Sequence, residues 1–117
     1  MDPHMYPEAS IELHRQRTAL APEAAAAFKA FNQAVFADGA LSSKMKDLIA
    51  VAVAHTTQCP YCIRGHTASA LRKGATQQEV MEAIWVAAEM RAGGAYAHST
   101  LALDTIEEVR SRQERKP

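Results

Sequence analysis

His55-Thr56-Thr57-Gln58-Cys59-Pro60-Tyr61-Cys62-Ile63-Arg64-Gly65-His66 holds the only two cysteines of the 117-residue chain. Proline lacks a backbone N–H and has a fixed φ, so it suits the first position of a helix and no interior one. Pro60 therefore predicts a helix start with Cys59 at the N-cap. Cys59, Cys62 and His66 then stand at i, i+3 and i+7 and share one helical face. Both sulfurs fall in the first turn, where unpaired N–H groups and the helix dipole favour a thiolate. Two thiols this close can pair with almost no loop to close, which marks a redox-active pair more than a structural staple.

Upstream, Leu41, Met45, Leu48, Ile49, Ala52 and Val53 keep spacings of three and four. Leu48 to Val53 alone would pass for a buried strand, but Lys44, Lys46 and Asp47 break that pattern and the period decides for a helix. A serine of Leu41-Ser42-Ser43 is the expected cap. Downstream, the helix opened by Pro60 is expected to stop at Lys73-Gly74. Thr76-Gln77-Gln78-Glu79 is a capping box, and Val80, Met81, Ile84, Trp85 and Ala88 form the apolar stripe of the helix it opens. Gly93-Gly94 is expected to break the chain or permit close helix contact, with a last helix over about Ala95 to Val109. The charged stretch from Arg110 reads as a fraying tail. Toward the N-terminus, Ile11 to Ala19 reads as a short helix, and Pro22 opens a segment with Ala24, Phe28, Phe31 and Val35 on one face. Asp38-Gly39 is expected to end that segment through a left-handed glycine. Residues 1–10, with Pro3 and Pro7, read as flexible and irregular, and no strand or internal repeat is visible.

These elements predict an all-α fold of about five to six helices. The expected organisation is a flexible segment over 1–10, a single helical domain over 11–110 and a charged tail over 111–117. A chain of this length supports one core and gains from oligomerisation. Thirteen basic and thirteen acidic residues balance, so no electrostatic drive toward nucleic acid or an anionic membrane is visible. The uncharged run from Leu48 to Ile63 approaches a membrane span in length. His55, Thr56, Thr57, Gln58 and Pro60 interrupt it, so no membrane segment is expected. Two cysteines without a signal-peptide pattern suit a reducing cytoplasm.

His66, four residues after Cys62, is within reach to accept its proton, and such a base needs a partner to orient it. Asp47 and His55, on the preceding helix, are the candidates. Cys59 is expected to be the more exposed sulfur, placed to resolve a sulfenic acid or to exchange disulfides. Other readings of these residues are open. His55, Cys59, Cys62 and His66 form a Cys₂His₂ set that zinc accepts, although all four lie within twelve positions. Cys-Pro-Tyr-Cys also looks like a glutaredoxin motif, but no strand precedes it, and the only later proline is Pro117. Taken alone, Asp47 reads as solvated, Tyr96 and His98 as exposed, and Trp85, Met45, Met81 and Met90 as core or subunit contacts.

Leu41-Ser42-Ser43-Lys44, an acidic residue at 47, Cys59-x-x-Cys62-x-x-x-His66, Gly74-Ala75-Thr76 and Glu79-Val80 together resemble the AhpD-like branch of the carboxymuconolactone decarboxylase family. The resemblance spans about residues 22 to 103. It implies an all-helical AhpD-like bundle, assembly as a homotrimer or homohexamer, and thiol-dependent peroxidase activity on organic hydroperoxides, restored by a dithiol or protein-disulfide reductant. It implies neither metal nor flavin cofactor. By the resemblance Cys62 attacks the peroxide, Cys59 resolves it, and His66 relays a proton toward an acidic residue on the previous helix. Asp47 stands where the family usually has glutamate, and Tyr61 where characterised peroxidases have histidine. The shorter Asp47 implies an extra water in the relay, or His55 in part of it. The branch that decarboxylates lactones generally lacks the cysteine pair, which makes that reaction the least expected. A thiol–disulfide exchange or redox-sensing protein without peroxidase turnover, and a zinc-binding structural module, are the alternatives of other classes.

Overall fold

The computed structural model describes residues 5–115 of the chain. Five helices follow one another: α1 (Ile11–Leu20), α2 (Pro22–Phe36), α3 (Ser43–Thr57), α4 (Pro60–Arg72) and α5 (Gln77–Arg115). There is no strand among the described residues, and the fold is all-α.

The helix starts follow the local chemistry of the sequence. Ser10 and Ser42 accept the backbone N–H of Leu13 and Met45 at 3.2 and 3.1 Å, capping α1 and α3. Pro22 and Pro60 occupy the first turns of α2 and α4. At the start of α5 the capping box is closed in both directions: Thr76 N donates to Glu79 Oε1 at 2.9 Å and Glu79 N to Thr76 Oγ1 at 3.0 Å. Lys44 Nζ lies 3.2 Å from Glu79 Oε2 and so links α3 to the start of α5.

Helix ends were less legible. α4 does stop before Gly74, whose φ of +97° is a left-handed conformation that suits glycine. By contrast, α2 ends at Phe36 because Ala37 turns to extended backbone, and Gly39 is not left-handed. Asp38 instead accepts the N–H of Ser43 at 2.8 Å and folds the loop onto α3. α3 ends at Gln58, a non-glycine residue at φ 58°, ψ 49°.

The expected break at Gly93-Gly94 does not occur. α5 runs unbroken for 39 residues, through both glycines and past Arg110 to Arg115. Glycine inside a helix costs only about 1 kcal/mol relative to alanine. Here no proline or competing cap adds to that penalty. Arg112 pairs with Glu108 one turn earlier at 2.7 Å, in the stretch read as fraying.

α3 is the central helix and packs on α4 and α5, while α1 and α2 pair with each other and α2 touches α3. The two-residue link Gln58-Cys59 makes α3 and α4 antiparallel, so the beginning of α3 lies beside the end of α4. Leu48, Val51, Ala70, Ala75 and Val80 form the buried cluster, with Ala83 and Ile84 against it. Trp85, Met45, Met81 and Met90 are not core residues: they are 69%, 46%, 51% and 65% exposed. No helix among the described residues is long and apolar enough to cross a membrane.

Candidate active site

α4 carries its chemistry on one face. Cys59, Cys62, His66, Ser69 and Lys73 succeed one another at intervals of three, four, three and four, which keeps them in line along a helix. Asp47 projects toward this row from α3. It is 1% exposed and is the one buried charged side chain among the described residues. Its reading as a solvated residue is therefore overturned.

Three donors surround its carboxylate. Oδ1 lies 2.9 Å from His66 Nδ1. Oδ2 accepts from Ser69 Oγ at 2.7 Å and from Lys73 Nζ at 2.6 Å. Lys73 Nζ also donates to Ser43 Oγ at 2.6 Å. Burial pushes the Asp47 carboxyl upward, but the hydrogen bonds from Lys73, His66 and Ser69 and the Lys73 charge outweigh it and hold the group below the usual carboxylate range. An ionised carboxylate only accepts, so the hydrogen between Asp47 and His66 sits on Nδ1. Nε2 is then the imidazole nitrogen without a hydrogen when the ring is neutral. Phe36 of α2 stacks on that ring, with centroids 4.8 Å apart and planes 23° apart.

Cys59 caps α4, its Sγ accepting the N–H of Cys62 at 3.3 Å. The two cysteines are joined as a disulfide, with Cα atoms 5.3 Å apart. Cys62 is exposed and lines a cavity of about 430 Å³, together with Asn32, Phe36, Asp47, Tyr61, Gly65, His66, Ser69 and Lys73. Cys59 is half-buried and does not line it. The expected order of exposure is thus reversed, because the capping role turns the Cys59 side chain back over the helix end.

Asp47, Cys59, Cys62 and His66 are brought together; His55 is not. Its Nδ1 bonds to Val51 O at 2.7 Å on its own helix, and it is absent from the cavity wall. Neither His55 nor a bridging water is needed to span from Asp47 to His66, since the aspartate reaches the ring directly. Among the described residues, no group of three or more His, Cys, Asp or Glu side chains is arranged to hold a metal ion. Tyr96 and His98 are exposed and away from the cavity lining. Tyr61, between the cysteines, lines the cavity, donates its hydroxyl to Pro7 O at 2.7 Å and meets Tyr6 edge-on at 6.2 Å. The sequence reading missed Ser69, Lys73 and Phe36. For the first two the signal was present, as the continuation of the 59-62-66 spacing. Phe36 had no such signal, since its contact depends on how α2 meets α4.

The profile of the carboxymuconolactone decarboxylase family matches residues 22–105. The chain belongs to this family. It is 63% identical over 83 residues to the uncharacterized protein 4 in the cox locus of Paracoccus denitrificans, a match covering 71% of this chain and 75% of that protein. Among solved structures it is similar to a carboxymuconolactone decarboxylase family protein of Legionella pneumophila in its apo form. There the identity is 36% and the TM-score 0.64, over 83% of this chain and 86% of the other. A second family member, from Thermotoga maritima, has been suggested to take part in an antioxidative response. It shares 26% identity at a TM-score of 0.55, over 79% of this chain and 95% of the other. The family's all-helical fold is the one described above.

Proposed function

We propose that this protein is a thiol-dependent peroxidase that reduces organic hydroperoxides at Cys62. The observation that carries the reading is the Cys59–Cys62 pair at the start of α4, with Cys62 and the Asp47-bound His66 lining the same open cavity. In the reduced protein, the helix N-terminus favours the Cys62 thiolate and His66 Nε2 takes its proton. The thiolate sulfur attacks the outer peroxide oxygen. The S–O bond forms as the O–O bond breaks, Cys62 becomes sulfenic acid, and the alcohol leaves with the proton returned by His66. The Cys59 thiol then displaces water from the sulfenic acid and forms the disulfide. An external dithiol reduces that disulfide to two thiols and is itself oxidised. Asp47 orients the His66 ring and stabilises it while it carries the proton.

Exposure of Cys62 also supports a second reading, thiol–disulfide exchange with another protein without peroxide turnover. Steady-state assay separates the two. Reduced, metal-free protein with excess dithiothreitol is expected to consume an alkyl hydroperoxide well above the rate of dithiothreitol alone, and Cys62→Ser is expected to fall to that background. Equal rates for the wild type, the variant and the protein-free control would rule out the peroxidase. We also propose that the protein acts as a homo-oligomer in the reducing cytoplasm, the assembly being supported by the apolar surface left open on the single chain.

A further inference from the structure

We infer that Lys73 is a positioning residue of this site: its ammonium, bonded to Asp47 Oδ2 and anchored on Ser43 Oγ, keeps Asp47 a carboxylate and thereby fixes the His66 ring. The inference rests on the proposed role of the Asp47–His66 pair. A carboxylate at 1% exposure needs a compensating charge. Two residues can supply it, His66 and Lys73. If His66 supplied it by holding a proton, the imidazole would no longer be a base for Cys62. Lys73 supplies it without that cost, at 2.6 Å and from a side chain 35% exposed, so its own charge remains partly hydrated.

The other charged groups around Asp47 are engaged elsewhere. On α3 itself, Lys44 pairs with Glu79 of α5, and Lys46 donates to Ala37 O at 2.6 Å. Glu79 is the α5 carboxylate at this end, and it is held by Lys44 and Thr76. From α4 come His66, Ser69 and Lys73; from α2 comes the uncharged Phe36, on the far side of the His66 ring. The Ser43 hydroxyl holds Lys73 from the first turn of α3, so the clamp joins the end of α4 to the beginning of α3 across the site. Asp47 therefore acts as a fixed charge: with Oδ2 taken by two donors, it orients the histidine and does not receive its proton.

The test is an NMR titration of the full-length reduced protein, following the Asp47 carboxyl carbon and the His66 ring nitrogens in the wild type, Lys73→Met, Lys73→Arg and Ser43→Ala. Without Lys73, the proton that the Asp47–His66 pair takes up on acidification is expected at a pH higher by about one unit or more. Lys73→Arg is expected to bring the midpoint back toward the wild type. Ser43→Ala keeps the charge and removes only its anchor, so it is expected to shift the midpoint the same way by less; it also serves if Lys73→Met does not fold. In the peroxide assay, the acid limb of kcat/KM is expected to move by the same amount as the midpoint. Unchanged midpoints in folded Lys73→Met and Ser43→Ala would overturn the inference, as would a uniform loss of rate with no movement of the acid limb. Because the titration uses no peroxide, it reads the clamp even if the peroxidase reading fails.

Discussion

The Asp47 carboxylate on α3 is held by three side chains from α4 and its end. Its partners His66, Ser69 and Lys73 follow it by 19, 22 and 26 residues. Within α3 it stands next to Lys46 and near Lys44, so the local pattern reads as a polar face. Cys59, Cys62 and His66 were legible because their chemistry and spacing are local to one helix; Ser69 and Lys73 extend the same row but carry no distinctive chemistry of their own. Asp47→Asn is expected to cost about 1–3 kcal/mol of stability at neutral pH, since charge-assisted hydrogen bonds are lost while the Lys73 end stays open to water. The folded-state carboxyl is held below its usual range, so this contribution is present above the unfolded value of about 4 and fades as pH falls through the folded one. Thermal melts of both proteins should therefore differ most above pH 5 and converge in stronger acid. A gap that grows on acidification would contradict the assignment.

At the scale of the helix, starts were more legible than ends. A start is set by a side chain acting within three residues, as at Ser42, Thr76 and the Cys59-Pro60 pair. An end depends on where tertiary packing lets the chain leave, and glycine alone does not decide it. Gly74 is left-handed, Gly39 is not, and Gly93 and Gly94 remain inside α5. Gly74→Ala is expected to destabilise the fold by about 1 kcal/mol, because a Cβ is strained at that φ even with open space around it. Gln58→Gly is expected to act in the opposite direction by about 0.5–1 kcal/mol, relieving the left-handed cap at the end of α3. Chemical denaturation of the two variants checks both signs. Equal destabilisation by both would show that the Gln58 side chain makes contacts that outweigh its backbone strain.

For the whole chain, the dimensions depart from those of a compact monomer. Its extents are 71 × 36 × 34 Å and its radius of gyration 21.4 Å, where about 13 Å is typical of a compact chain this long. The accessible surface is 9527 Å², against about 6,200 Å² for a compact monomer of this mass. That excess is larger than a standard protein–protein interface buries in total. Phe28 and Phe31 on α2 and Trp85, Met90, Leu101 and Leu103 along α5 are all more than 60% exposed. Phe28, Phe31 and Trp85 have the helical spacing of a buried face in the sequence, yet the single chain leaves them open, since periodicity marks an apolar face and not what packs on it. Light scattering is expected to find an oligomer, and Phe31→Glu with Trp85→Glu is expected to dissociate it; a stable, well-folded monomer at micromolar concentration would contradict this. Peroxide reduction at Cys62 can be read in a single turnover. Reduced Cys59→Ser protein is mixed with one equivalent of an alkyl hydroperoxide and its peptides are read by mass spectrometry. One oxygen atom is expected to be added at Cys62, trapped as sulfenic acid because the resolving thiol is gone. An unmodified Cys62 with the hydroperoxide left intact would contradict it.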